Sequence, residues 1–261
     1  MNISLEGKTA LVGGASRGLG NAIAKQLAAC GATVTLMARN KEKLEKALAA
    51  LPVPLHQQHR YLITDFTDYA GFKNTITTWF ANNRVDILVN NTNGPKPGGV
   101  LDKNVDDFQQ SFDLLFKSVV LLTTEALTGM KATGFGRIIN LSSITVKEPL
   151  PNLVLSNSIR SAVVSWAKTL SVAVAPMGIT VNNILTGYFD TERLKEINQL
   201  QATSKGITLD TYTAGMQQSV PVGRFGRPEE FGYLVAFLAS DYAAYITGTN
   251  IPIDGGLLKS V

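Results

Sequence analysis

Apolar positions in this chain fall into two alternating arrangements. Short apolar runs occur at Lys8 to Val12, Thr33 to Ala38, Val85 to Asn90, Gly136 to Ser142 and Ile179 to Leu185. Between them lie longer stretches with helical spacing: Ala22, Ile23, Leu27 and Ala28, then Val105 to Met130 and Leu153 to Ala175. Strands alternating with helices predict an α/β domain with a doubly wound, Rossmann-type parallel sheet. In such sheets a ligand sits outside the carboxyl ends of the strands, where Asn90, Ser142, Ser143 and Thr186-Gly187 fall.

The first strand runs directly into Gly13-Gly14-Ala15-Ser16-Arg17-Gly18-Leu19-Gly20, and a helix follows at once. Glycines let a backbone approach a pyrophosphate closely, and the helix N-terminus offers it unpaired N–H groups and a partial positive charge. At the end of the second strand, where an acid would hold a ribose 2′-hydroxyl, stands Arg39. Arg17 adds a second cation inside the glycine turn. Two guanidinium forks bracketing one ribose favour a 2′-phosphate, hence NADP(H) over NAD(H).

At 261 residues and 45% hydrophobic composition the chain is long enough to bury one full core, and a single domain is expected. No run of apolar residues is long enough to span a membrane, and Met1 to Lys8 carries no targeting pattern. The only cysteine, Cys30, excludes an internal disulfide and reads as a buried structural thiol, in keeping with the cytoplasm. His56 and His59 lack partners at ligand spacing, so no metal is expected. The net charge of +4 is spread along the chain, without the clustered cations and interleaved aromatics of a nucleic-acid surface.

Five further segments carry a family resemblance. They are Gly14-x3-Gly18-x-Gly20, Asp65 after the third strand, Asn90-Asn91-Thr92-Asn93-Gly94, Ser143 after a strand, and Asp254-Gly255-Gly256. In this order the chain resembles a single-domain short-chain dehydrogenase/reductase over nearly its whole length. The resemblance implies that Gly14, Ser16, Arg17, Gly18, Leu19, Gly20, Arg39, Asp65, Phe66, Asn91, Arg160, Gly187, Phe189 and Thr191 surround the cofactor. It also implies hydride transfer to or from a small-molecule substrate, a substrate lid over 188–220 with helices at Glu192 to Gln201 and Leu209 to Gln218, and assembly as a homotetramer or homodimer.

The catalytic positions depart from the family. Its proton relay is Ser, Tyr, Lys and a helical Asn, and only Ser143 is kept. The tyrosine position is Ser156, the lysine position Arg160 and the asparagine position Leu115, and no tyrosine lies between Tyr69 and Tyr188. A serine hydroxyl is far too weak an acid to replace the tyrosine, and losing such a group removes about 10²- to 10⁴-fold in rate. Arg160 stays cationic and can hold ribose hydroxyls or stabilise negative charge, but it does not relay a proton as lysine does. Lys147, on the loop after Ser143, and Tyr188 are alternative donors, each with a structural reading as well: an ion pair of Lys147 with Glu148, or packing of Tyr188.

Three functions fit this set. One is an NADP(H)-dependent reductase of an activated C=C or carbonyl group, in which Ser143 with Arg160 or Lys147 stabilises an enolate and water supplies the proton. Another is an NADP(H)-binding protein without turnover, in a regulatory or scaffolding role. The third is a different reaction on the same fold, such as dehydration or isomerisation.

Overall fold

The computed structural model describes residues 2–260. In β1 (Thr9–Gly13) the side chains alternate: Ala10 and Val12 enter one core layer and Leu11 enters the other. A strand buried on both faces needs a helix layer on each side, and the chain supplies both. On the first face α1 (Gly18–Ala29) and α2 (Lys41–Ala49) cover β1 and β2 (Thr33–Ala38). Within the sheet β3 (Arg60–Ile63) and β4 (Ile87–Asn90) flank β2 and β1, and on the other face lie α3 (Tyr69–Phe80) and the helices that follow β4.

The expected long helix over Val105 to Met130 is interrupted. It consists of α4 (Val105–Phe112), a π-helical turn at Asp113–Lys117 and α5 (Ser118–Thr133). The extra residue in that turn shifts the helix phase around Leu115, which is buried. Next come β5 (Gly136–Ser143), α6 (Val154–Val174) and β6 (Ile179–Thr186). Then α7 (Glu192–Ser204) and α8 (Leu209–Ser219) occupy the segment expected to be a lid, each slightly longer than expected. Finally α9 (Pro228–Ala239) returns to the first face and β7 (Asn250–Ile253) ends the sheet. Gly232 lets α9 close on α1, because a Cβ there would lie 3.0 Å from the Ala22 carbonyl oxygen.

The sheet has seven strands, all parallel, in the order β3-β2-β1-β4-β5-β6-β7. The winding reverses between β1 and β4, which opens a crevice above their carboxyl ends. The fold is thus the expected single-domain, doubly wound sheet.

Register places four asparagines side by side. Asn90 pairs with Asn140, Asn140 with Asn183, and Asn183 with Asn250. Their side chains form a directed chain: Asn90 Nδ2 donates to Asn140 Oδ1 (2.8 Å), Asn140 Nδ2 to Asn183 Oδ1 (2.9 Å) and Asn183 Nδ2 to Asn250 Oδ1 (2.8 Å). Aligned amide dipoles leave Asn90 Oδ1 as the negative end of the chain, buried and without a hydrogen-bond partner among the described residues.

Cys30 is half-buried rather than fully buried, as the C-cap of α1, and burial pushes its thiol pKa up. His59 joins the loop after α2 to the sheet, accepting the Val34 N–H at Nδ1 and meeting the Pro52 carbonyl through Nε2.

Candidate active site

The crevice contains a cleft of about 360 Å³ reaching from the glycine turn to the ends of β2, β3 and β4. Its walls include Gly14, Ser16, Arg17, Gly18, Leu19, Gly20, Arg39, Asp65, Phe66, Asn91 and Thr191, drawn together from well-separated parts of the chain. The glycine turn has little tolerance for side chains. A Cβ on Gly14 (φ +58°) would lie 2.7 Å from Asn91 Nδ2, and one on Gly20 would fall on the Gly14 carbonyl. Asn91 braces the turn by donating from Nδ2 to the Gly13 carbonyl at 3.0 Å. The N-cap of α1, Arg17, makes no side-chain cap, so the first N–H groups of the helix remain available. This cradle suits a pyrophosphate.

Asp65 closes the far end. Burial pushes its carboxyl up, but the N–H and hydroxyl of Thr67, at 2.9 and 2.7 Å, together with Arg39 outweigh that and hold it below the usual carboxylate range. Phe66 packs against Phe72, ring centroids 4.9 Å apart. Thr191 caps α7, accepting the Leu194 N–H, and sits beside Gly18. The walls also include Asn40, Lys43, Thr67 and Arg193, which the sequence motifs do not mark. Asp65-Phe66-Thr67 is an Asx turn, a local signal that could have identified Thr67. Lys43 lies in the first turn of α2, four residues after Arg39.

Three residues expected at the cofactor, Phe189, Gly187 and Arg160, do not line this cleft. Phe189 is buried away from the cleft, edge-on to Phe231 with centroids 5.3 Å apart and against Gly226. Its pairing with Gly226 turns the chain after β6 so that the ring points into the core. Gly187 does not line the cleft either. A Cβ there would lie 2.6 Å from the Asp254 Cα, so the glycine allows the chain after β7 to pass close by.

Arg17 faces an unexpected partner. Its Nη1 donates to Glu192 Oε2 and Glu196 Oε1 of α7, both at 2.8 Å. These bonds raise the Arg17 pKa and hold both glutamates below their ordinary range.

At the other end of the crevice lie the altered catalytic positions. Ser143, at the end of β5, accepts from the Thr145 N–H (3.2 Å) and hydroxyl (3.0 Å), leaving its own O–H free to donate. Ser156, in the first turn of α6, accepts from Arg160 Nε at 3.2 Å and likewise keeps a free O–H. Arg160 Nη1 donates to the Leu141 carbonyl at 2.6 Å.

The Arg160 guanidinium is desolvated and has no carboxylate partner among the described residues, and burial lowers its pKa to about 10. It borders a cavity of about 20 Å³ shared with Asn90, Leu115, Asn140 and Ser142. Asn90 Oδ1 and Ser142 Oγ there have no partner within the protein. The Leu141 carbonyl and the Ser156 hydroxyl oxygen are the hydrogen-bond acceptors of this cation among the described residues. Leu115 adds only an apolar wall.

Lys147 is exposed and outside both cavities. Glu148 does not pair with it, accepting instead the N–H groups of Lys259 and Ser260 at 2.8 Å. Tyr188 is half-buried beside Phe225, and burial, then Tyr212, raises its pKa and makes it a poorer acid. Among the described residues no helix is long and apolar enough to cross a membrane.

A family model described as enoyl-(acyl carrier protein) reductase matches residues 14–258. The chain is 32% identical to the 3-oxoacyl-(acyl-carrier-protein) reductase FabG of Rickettsia conorii over 256 residues, covering 98% of this chain and 99% of that one. It is 31% identical to the NADPH-dependent reductase BacG of Bacillus subtilis, covering 97% and 99%. Among solved structures, L-sorbose reductase from Gluconobacter frateurii, complexed with NADPH and L-sorbose, superposes with a TM-score of 0.93 at 28% identity, over 100% of both chains. With its glycine cradle, sheet order and matches spanning nearly its full length, the chain belongs to the short-chain dehydrogenase/reductase family.

Proposed function

We propose that this protein is an NADP(H)-dependent reductase that acts on an activated C=C or carbonyl group of a small molecule without a tyrosine acid. The observation that carries this reading is the pair of serines with free hydroxyl protons, Ser143 and Ser156, the second held by the half-buried Arg160. The glycine cradle, the uncapped α1 terminus and Asp65 fit a dinucleotide. The NADPH dependence in the name of the Bacillus relative and the NADPH in the sorbose reductase complex support the choice of cofactor.

Bound in this cleft, NADPH supplies a hydride to the electron-poor carbon. The protein's part is to stabilise the negative charge that develops on the substrate oxygen. Ser143 O–H donates to that oxygen. Ser156 O–H donates too, strengthened because Arg160 Nε polarises its oxygen. For a conjugated C=C bond, hydride adds at the β carbon and the enolate takes a proton from water at the α carbon, so no strong side-chain acid is needed. For a plain ketone the alkoxide itself must be protonated as it forms, and neither serine is acidic enough. The enoyl description of the matching family supports the C=C branch.

The alternative is an NADP(H)-binding protein without turnover, favoured by the joint replacement at Ser156, Arg160 and Leu115. Oxidation of NADPH by excess protein, followed by absorbance against enones, unsaturated acids and plain ketones, separates the two. Consumption with the conjugated alkenes, well above that with plain ketones, supports the reductase. Tight NADPH binding with no consumption by any substrate class would favour the non-catalytic reading.

A further inference from the structure

Ser143 is oriented by the short stretch of chain that follows it. Its oxygen caps a single 3₁₀ turn, Ile144–Val146, by accepting the Thr145 N–H and hydroxyl, which limits the directions left to its own O–H. The turn closes through the Ile144 carbonyl, which accepts the N–H groups of Lys147 at 3.0 Å and Glu148 at 3.1 Å. One turn has little stability of its own, because few backbone bonds offset the cost of ordering it. What holds Glu148 at its far end therefore bears on Ser143 at its near end.

Glu148 is held from a distant part of the chain. One carboxylate oxygen, Oε1, accepts the N–H groups of Lys259 and Ser260, 111 and 112 positions away and both at 2.8 Å. Bonds to an ionised acceptor are stronger than neutral ones, and these two, that of Ser260 first, hold the carboxyl below its ordinary range. The segment that supplies them is fixed in turn. Asp254 accepts the Gly256 N–H at 3.0 Å and the Leu258 N–H at 2.8 Å, and the Gly255 carbonyl accepts the Val222 N–H at 3.2 Å, just after α8. Gly255 and Gly256, at φ +64° and +86°, make the bend out of β7 that a side chain would strain.

Resting on the reductase reading above, we infer that Glu148 is a positioning residue: it ties residues 254–260 to the turn after Ser143 and so keeps the Ser143 hydroxyl in the orientation that donates to the substrate oxygen. The carboxylate acts through the turn and touches no reacting atom. Because the same segment is bonded to the chain just after α8, the tie also joins the α7–α8 segment to the catalytic turn.

The test compares full-length Glu148→Ala, Glu148→Gln, and Lys259→Pro with Ser260→Pro, which removes both N–H donors. Thermal melts and NADPH titrations check the fold and the cofactor end. Glu148→Ala should speed amide exchange across residues 144–148 by about tenfold. It should also lower kcat for a conjugated alkene by about fivefold to tenfold, with KM and NADPH affinity within about twofold. The proline pair should reproduce both changes, and combining it with Glu148→Ala should add nothing further. Glu148→Gln, which keeps an acceptor oxygen, should recover about half of the lost kcat. Unchanged exchange in Glu148→Ala, faster exchange with unchanged kcat, or additive losses in the combined variant would overturn the inference and leave the reductase reading standing. If the wild-type protein consumes NADPH with no substrate class, the reductase reading falls, and the exchange rates then decide the tie by themselves.

Discussion

The two ends of the crevice have diverged to different degrees. At the ends of β1 to β4 the glycines, Asp65 and Asn91 keep the family pattern and form one continuous cleft. At the start of α6 and in the π turn between α4 and α5, the family's phenol, ammonium and amide are replaced by Ser156, Arg160 and Leu115, and Arg160 and Leu115 border a cavity large enough for about one water. The cofactor end is constrained by backbone geometry, since a side chain on Gly14 or Gly20 collides with the turn itself. The catalytic end is less constrained by backbone geometry, because Ser156 and Arg160 sit within the regular helix α6. Cofactor binding and proton transfer are thus separable in this fold, and the second can change while the first is held in place.

The largest effect should follow from attacking the rigid end. Gly20→Val places methyl groups against the Gly14 carbonyl and Asn91, and should abolish measurable NADPH binding in a fluorescence titration. Overpacking of this kind also costs about 1–3 kcal/mol, so the melting temperature should fall by several degrees. Retained affinity would mean that the cradle is softer than its geometry indicates.

A smaller effect should come from rebuilding the permissive end. Ser156→Tyr with Arg160→Lys should raise NADPH-dependent reduction of plain ketones by about tenfold or more over the parent, and adding Leu115→Asn should raise it further because Leu115 borders the Arg160 cavity. No gain from the triple variant would show that the substrate pocket has diverged beyond these positions.

The smallest effect concerns the connection between α7 and the glycine turn. Glu192→Gln with Glu196→Gln removes both negative charges paired with Arg17, and should speed cofactor release in stopped-flow displacement by about twofold at low salt, with the difference fading at high salt. The pH dependence has a definite sign. Both carboxyl pKa values are depressed in the folded protein, so the contribution of the pairs is complete above the ordinary glutamate range and is lost as pH falls through the lowered values. Hydrogen exchange of α7 should therefore quicken only in acid; an unchanged rate there would show that the pairs do not hold the segment.

Much of this was legible along the chain. Strand alternation, the glycine turn, Asp65 and the altered catalytic positions are local patterns, and the glycine turn, Asp65 and Asn91 all line the same cleft. Other features were hidden for identifiable reasons. The π turn at Asp113–Lys117 leaves no mark in apolar periodicity, because Leu114 and Leu115 are both apolar and either could face inward. Phe189 stands between two residues of a family motif, and only its pairing with Gly226 sends the ring into the core.

The sequence by itself determined the fold class and which chemical groups are present, since hydrophobic period, glycine placement and missing tyrosines are properties of order along the chain. Only the tertiary structure decided which of those groups are free to act. Arg17 is engaged by carboxylates 175 and 179 positions away, Lys43 beside the cleft makes no ion pair among the described residues, and Arg160 is held, half-buried, by Leu141 and Ser156. A charge's availability depends on its neighbours in space, and those are assembled by packing between helices and sheet that no local window of sequence contains.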